Sequence, residues 1–499
     1  MLMRMSEIQH WIDGRATAGE SPRTAGVFNP ATGVQTGTVR LASAADVERA
    51  VRSASVASRE WRHASLSRRS AVLFAFRELL HVGAEDLARI VTAEHGKVLA
   101  DAEAEIARGI ENVEFACGAP QLLKGGFSEQ ASTGVDVYSI RQPLGVVAGI
   151  TPFNFPVMVP LWMAASAIAC GNAFVLKPSE KDPSASLWLA RAWQEAGLPD
   201  GVFTVLQGDR GAVEGLLAHP DVAAVSFVGS TPVARSIYTT GSANGKRVQA
   251  LGGAKNHMLV LPDADVDLAA DAAVSAAYGA AGERCMATSV AVAVGDIGDR
   301  LVRAISERLP KLVVGDGSVD GTDIGPLITR EHRDRVAEYV AAGANAGAVA
   351  VVDGRETQVS SDGFFLGPTL LDHVRPDMTV YTDEIFGPVL SVVRVATYEE
   401  GIDLINSHEL ANGSSVFTRD GGVARQFQFD VEVGMVGINV PIPAPVAYYS
   451  FGGWKNSLFG DTHIYGPEGI NFYTRGKVVT SRWPDPASST VDLGFPRTR

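Results

Sequence analysis

From Gln142 to Leu176 the chain carries no charged residue, and this run constrains the fold more than any other. A helix that spans a bilayer needs about 20 continuous apolar residues. Here Pro143, Pro152, Pro156 and Pro160, with Gly145, Gly149 and Gly171, interrupt the run. Proline ends or kinks a helix, and glycine weakens both helix and strand. The punctuation therefore reads as strand (Val146–Ile150), loop, helix (159–169) and short strand (173–176), buried in a protein core rather than in a membrane.

The same alternation continues downstream. A helix is predicted over 184–196, stopped by Gly197, then strands over 202–206 and 223–227. The last strand ends in Gly229-Ser230-Thr231-Pro232, where Thr231 can N-cap a helix and Pro232 take its first position. Such βαβα order implies an α/β fold with a mostly parallel, doubly wound sheet. Upstream, Ser43 and Asp46 have capping-box spacing, and Val47, Ala50, Val51 and Ala54 follow at helical period. Further helices are predicted over 70–80 and 99–117. A second α/β region covers 253–440, with helices near 265–278 and 299–309. The late strand-like run 477–483 has no obvious partner and is a candidate for pairing with another subunit.

Composition narrows the function. With 499 residues, more than one domain is expected. A net charge of −13 argues against nucleic-acid binding, which needs a basic face. Three cysteines without paired spacing suit a reducing, cytoplasmic setting rather than a disulfide framework. No C-x-x-C or H-E-x-x-H occurs, so no metal site is expected. The first seven residues lack an apolar leader core and an Arg-rich transit bias.

Cys285, in Gly282-Glu283-Arg284-Cys285-Met286, is the candidate nucleophile. An adjacent cation favours a thiolate, and Arg284 is placed to supply one. A single cysteine is by default a buried structural residue, the assignment kept for Cys117 and Cys170. No G-x-G-x-x-G is present, so nucleotide binding falls to two other strand ends. In Lys177-Pro178-Ser179-Glu180 the lysine offers donors and the glutamate a carboxylate for ribose hydroxyls. Gly229-Ser230-Thr231 opens a helix whose amides and dipole favour a pyrophosphate. Ordinary strand-to-helix turns share both patterns. Asn154, between Phe153 and Phe155, can aim its amide at an oxyanion or bond its own backbone in a turn.

Taken together, 152–156, 177–180, 229–231, 282–285 and Glu384-Ile385-Phe386-Gly387-Pro388 resemble the aldehyde dehydrogenase superfamily in order and spacing, over nearly the whole chain. The resemblance implies a Rossmann-type NAD-binding domain (1–123 and 142–252), an α/β catalytic domain (253–455) and a small β oligomerisation element (124–141 and 476–499). It implies a homotetramer built as a dimer of dimers. It makes Cys285 the nucleophile and Asn154 the oxyanion amide. Cofactor contacts fall to Thr151, Phe153, Lys177, Glu180, Lys181, Gly229, Ser230, Gly252, Glu384 and Phe386.

One departure matters. Hydrolytic members carry a glutamate before Leu-Gly-Gly as the base that activates water; here that position is Ala250. General-base help is worth about 10²–10⁴-fold. With this absence, the runs 253–257, 284–286, 108–114, 437–443 and 460–466 resemble the CoA-acylating methylmalonate-semialdehyde branch of the superfamily. That branch implies NAD as cofactor and coenzyme A as cosubstrate. It implies oxidative decarboxylation of methylmalonate semialdehyde to propionyl-CoA and of malonate semialdehyde to acetyl-CoA, through a thioester on Cys285. Arg108 and Arg284 would hold the substrate carboxylate by paired hydrogen bonds; periodicity alone makes Arg108 a solvated helix residue. Glu283 stands where the branch is expected to carry glutamine, and either weakens the charge of Arg284 or points outward. Glu180 favours NAD over NADP by repelling a 2′-phosphate, tempered by Lys177. The alternatives are a hydrolytic dehydrogenase of another small aldehyde and a non-catalytic nucleotide-binding paralogue. Valine, inositol and β-alanine breakdown all remain open as the pathway.

Overall fold

The computed structural model describes residues 6–359 and 362–483, with positions 487 and 491. Residues 1–5 and the rest of the 476–499 segment beyond 483 lie outside the described residues.

The uncharged run becomes the strand Val146–Ile150, the helix Met158–Ala169 and the strand Ala173–Lys177, each buried at every position. Burial on both faces is what a parallel sheet between helical layers requires. That sheet has eight strands. Its parallel centre runs Arg247–Leu251, Val222–Val228, Val146–Ile150, Ala173–Lys177, Phe203–Val205. His10–Ile12 and Arg15–Thr17 extend one side antiparallel, and Leu458–Phe459 closes the other. From Val146–Ile150 the chain adds strands on one side, then returns to add Val222–Val228 on the other. The strand order therefore reverses there, and open α/β sheets bind ligands at such a reversal.

Helices cover both faces. Ala44–Trp61 is held by the expected capping box and packs Val47, Ala50, Val51 and Ala54 against one face. The helices Leu66–Val82, Leu99–Cys117, Met158–Ala169 and Ser184–Glu195 pack on the other. Two predicted boundaries move. The helix expected over 70–80 starts at Leu66, because the Ser65 hydroxyl accepts from Arg68 N–H at 3.2 Å. The cap expected at Thr231 belongs to Ser230. The Thr231 hydroxyl instead accepts from Gly253 N–H at 2.9 Å.

A second sheet of seven strands carries its own core. Thr288–Val294 lies at its centre, between Asn256–Val260 and Val389–Val395. A separate three-stranded sheet joins Phe127–Ser132, Val135–Pro143 and Thr474–Arg482. The late strand thus has a partner within its own chain, from Thr474 opposite Pro143 to Arg482 opposite Val135. This corrects the expectation that it lacks one. Among the described residues, no helix is long and apolar enough to cross a membrane.

Candidate active site

Cys285 sits on a loop held from three sides. Before it, the turn Gly279–Gly282 places Ala280 and Ala281 at φ of 50° and 52°, a left-handed conformation that costs a residue with a Cβ. Ala280 N–H donates to Asp101 Oδ2 at 3.0 Å, which holds the strained turn. Behind it, the Cys285 carbonyl accepts from Asn256 Nδ2 at 2.9 Å and Asn412 Nδ2 at 3.3 Å. Burial pushes the thiol up to about 12, and the Glu384 charge adds to this; its own and the Met286 N–H, with Arg284, pull the other way. Arg284 favours the thiolate, and burial opposes it more strongly. Arg284 itself is bound by Asp101 at 2.6 Å.

Asn154 is buried, and its Nδ2 donates to the Glu283 carbonyl at 3.0 Å. An amide NH₂ has two donors, so one remains for the cleft it shares with Cys285. The Asn154 carbonyl accepts from Lys97 Nζ at 2.6 Å. Lys97 pairs with Glu105 at 2.7 Å, both side chains without exposure. Glu105 Oε1 accepts from Val157 and Met158 N–H at 2.8 and 3.1 Å, at the start of the helix Met158–Ala169. One buried ion pair thus anchors the turn that carries the asparagine.

On one side of Cys285 lies a cavity of about 350 Å³. Asp101, Glu105, Arg108 and Asn112 line it from the helix Leu99–Cys117. Their spacing of four, three and four residues is one helical stripe, while Ala102, Ile106, Gly109, Ile110 and Val113 bury another. Phe155, Met158, Trp162, Phe451 and Tyr465 form apolar walls, with Trp162 5.1 Å from Phe451 and 5.0 Å from Tyr465. Three cations and three carboxylates line the cavity, each paired: Lys97 with Glu105, Arg108 with Glu111 at 2.9 Å, and Arg284 with Asp101. Arg108 and Arg284 therefore face the same space.

On the other side lies a cleft of about 450 Å³, at the strand-order reversal of the eight-stranded sheet. Phe153, Asn154, Gly229, Ser230, Gly252, Glu384 and Phe386 line it, with Cys285 at its end. Ser230 starts the helix Thr231–Ala243, yet its hydroxyl makes no capping bond. The amides of that turn and this hydroxyl suit a pyrophosphate. Glu384 accepts from Ala254 N–H at 2.8 Å, and burial raises its carboxyl to about 7. A Cβ on Gly253 would fall 2.3 Å from Glu384 Oε2, so glycine is needed where the carboxylate approaches. Phe386 meets Phe153 edge-on at 5.9 Å. The buried Thr151 hydroxyl has no hydrogen-bond partner. Lys177 and Glu180 stand at the end of Ala173–Lys177, 3.5 Å apart, outside the lining of the cleft. Lys181 lies over the Phe153 ring at 5.1 Å. The residues lining the cleft suit a dinucleotide, with the Ser230 hydroxyl, the Glu384 carboxyl and an open helix start in one groove.

Glu283 follows neither expected course. Its carboxyl is buried against His332 Nε2 at 3.5 Å and His95 Nε2 at 3.7 Å, away from Arg284, which Asp101 holds. Burial raises it to about 8 and lowers His332 to about 4. Ala250 is buried in its strand between Phe227 and Phe459 and lines neither cavity. Sequence reasoning missed Lys97, Asp101, Glu105, Trp162, Asn412 and Tyr465. The polar stripe of the helix Leu99–Cys117 was the available signal for two of them.

The aldehyde dehydrogenase family model matches residues 16–479. The malonate-semialdehyde dehydrogenase of Pseudomonas aeruginosa is 53% identical, covering 99% of this chain and 100% of that one. Among solved structures, a Sinorhizobium meliloti protein assigned as a methylmalonate-semialdehyde dehydrogenase, complexed with NAD, superposes with a TM-score of 0.96 at 51% identity, covering 97% and 100% of the two chains. The methylmalonate-semialdehyde dehydrogenase of Oceanimonas doudoroffii gives 0.95 at 56% identity, covering 97% and 99%. The chain belongs to the aldehyde dehydrogenase family.

Proposed function

We propose that this chain oxidises malonate and methylmalonate semialdehydes with NAD⁺ and passes the acyl group to coenzyme A, giving acetyl-CoA and propionyl-CoA with loss of CO₂. One observation carries the choice of CoA over water: every carboxylate lining the cavity beside Cys285 is already bound by a cation, and Ala250 offers no base. The relatives named for these semialdehydes support the substrate class.

The Cys285 thiol gives its proton to water and its sulfur attacks the aldehyde carbon, and the Asn154 amide and Cys285 N–H hold the oxyanion that develops. NAD⁺ bound in the cleft would supply the acceptor for the hydride that leaves this carbon as its carbonyl re-forms, and a thioester remains on Cys285. Ser230 and the Thr231–Ala243 helix start would hold its pyrophosphate, Lys177 and Glu180 its adenosine ribose, and Glu384 beside Phe386 its nicotinamide ribose. Arg108 and Arg284 orient the substrate carboxylate, so the acyl group left on Cys285 carries a β-carboxylate. Its departure as CO₂ leaves an enolate held by the same donors, and a proton from water at the enolate carbon gives the acetyl or propionyl thioester. The CoA thiol, ionised by loss of its proton to water, then attacks the thioester carbon without a protein base, and the C–S bond to Cys285 breaks to release the cysteine, which takes up a proton. The free cysteines fit a cytoplasmic setting, and the outer edge of Thr474–Arg482 offers a surface for the proposed tetramer.

The test is product analysis with both semialdehydes and NAD⁺, with and without CoA. Acyl-CoA as the product, and slow turnover without CoA, is expected. Rapid formation of the free acid without CoA sinks the proposal.

A further inference from the structure

The two arginines of the substrate cavity are held differently. Arg108 pairs with Glu111 one helical turn away, and both side chains are about two-fifths exposed, at 40% and 41%. Two long, solvated side chains on one helix adapt to each other and contribute little rigidity, and a further bond of Arg108, from Nη2 to the Ala444 carbonyl, is long at 3.4 Å. Arg284 is gripped by another part of the chain. Its Nη2 donates to Asp101 Oδ1 at 2.6 Å, and the other oxygen of Asp101 accepts from Ala280 N–H at 3.0 Å. Asp101 thereby ties the helix Leu99–Cys117 to the loop of the nucleophile at two points.

A second contact fixes the plane of the guanidinium. A Cβ on Gly279 would lie 2.4 Å from Arg284 Nη1, 2.6 Å from Cζ and 2.7 Å from Nη2. Three guanidinium atoms at nearly equal range mean that the group lies flat against the glycine. Any larger residue would push it away. A guanidinium has five N–H donors in a fixed fork, and Asp101 engages one edge. The others remain for the cavity that Arg284 lines together with Cys285.

We infer that Asp101 and Gly279 set the direction of Arg284, and that Asp101 is a positioning residue for the substrate carboxylate rather than a counter-charge that weakens the arginine. The inference rests on Arg284 holding that carboxylate, as proposed above. Recognition of a carboxylate by a guanidinium depends on orientation, because two N–H groups must meet two oxygens together. An arginine released from Asp101 and Gly279 keeps its charge but loses that alignment, along with part of its advantage for an anionic aldehyde.

The experiment compares two substrates on the full-length protein with saturating NAD⁺ and CoA: malonate semialdehyde, and propanal, which has no carboxylate. The readout is the ratio of their kcat/KM values, which a general loss of active enzyme does not move. Asp101→Asn keeps an acceptor for Ala280 N–H but turns an NH₂ toward the guanidinium. Gly279→Ala displaces the guanidinium without changing any charge. Each is expected to lower the ratio about tenfold, the scale of one charge-assisted hydrogen bond. An unchanged ratio in both variants overturns the inference, as does a raised ratio in Asp101→Asn, which would make Asp101 a mere counter-charge. Arg284→Ala separates the two levels. If it leaves the ratio at the wild-type value, the carboxylate clamp itself fails. If it lowers the ratio while the other two variants do not, the clamp stands and only the positioning role falls.

Discussion

Two spaces meet at Cys285, and they are built from different material. The substrate cavity is made by side chains: one stripe of a single helix, two arginines from different elements, and an aromatic wall. The cofactor cleft has one wall made by chain turns and helix amides after Val146–Ile150, Val222–Val228 and Arg247–Leu251, where the strand order reverses, and a facing wall of side chains that includes Glu384 and Phe386. A surface made of side chains changes steeply with one substitution. A surface made of strand ends and helix amides is fixed by topology and tolerates single changes. The largest test of the contrast is at the shared residue. Cys285→Ser should lower NADH formation on the order of 10⁴-fold or more, while NAD⁺ affinity, followed by fluorescence titration, stays within about twofold. A parallel loss of cofactor affinity would mean that the two spaces are not separable at Cys285.

The same contrast explains what the sequence made legible. The capping box at Ser43 and the limits of Leu99–Cys117 were readable because their determinants lie within a turn or two of each other. The cofactor cleft was readable through the strand and helix alternation that creates the reversal. The partners that fix the chemistry were not. Lys97 meets Asn154 at a sequence separation of 57, Asn412 meets Cys285 at 127, and Arg284 meets Asp101 at 183. No local pattern encodes such meetings. Glu283 shows the hazard of arguing from adjacency: it neighbours Arg284 in sequence, yet its carboxyl joins two histidines.

Where the two spaces meet, the proposed oxyanion donor comes next in size. Asn154→Ala should lower kcat by about 10²–10³-fold with little change in KM, the usual loss for one such donor. Lys97→Met probes the support behind it. Removing one partner of a buried pair leaves Glu105 uncompensated and costs about 3–5 kcal/mol, so a lower thermal midpoint is expected together with a reduced kcat. A variant that melts early but keeps full kcat would show that Lys97 holds the fold and not the asparagine.

Burial of the sulfur makes a prediction in pH. With the thiol pushed up to about 12, the reactive thiolate is a small fraction at neutrality. That fraction grows about tenfold per pH unit below the pKa. Alkylation of the cofactor-free enzyme by iodoacetamide should therefore accelerate about 100-fold from pH 7 to pH 9 without levelling. Cys285→Ser supplies the background from Cys117 and Cys170, which burial pushes to about 11 and 12. A plateau near pH 8 would mean that Arg284 governs the thiol after all.

The smallest effect is expected in the cleft, and its smallness is the point. Ser230 carries the only side-chain hydroxyl at the N-cap of the helix Thr231–Ala243, and it makes no capping bond there. Ser230→Ala removes one neutral donor, worth about 0.5–1.5 kcal/mol, and leaves the amides and dipole of the turn in place. The KM for NAD⁺ should rise about 2- to 12-fold, with kcat nearly unchanged. Pro232, at the second helical position, already lacks an N–H, so the remaining amides must come from its neighbours. A loss beyond about 100-fold would mean that one hydroxyl outweighs them. The cleft would then be a side-chain site like the cavity beside it, and the reversal of strand order would explain where the cofactor lies but not what holds it.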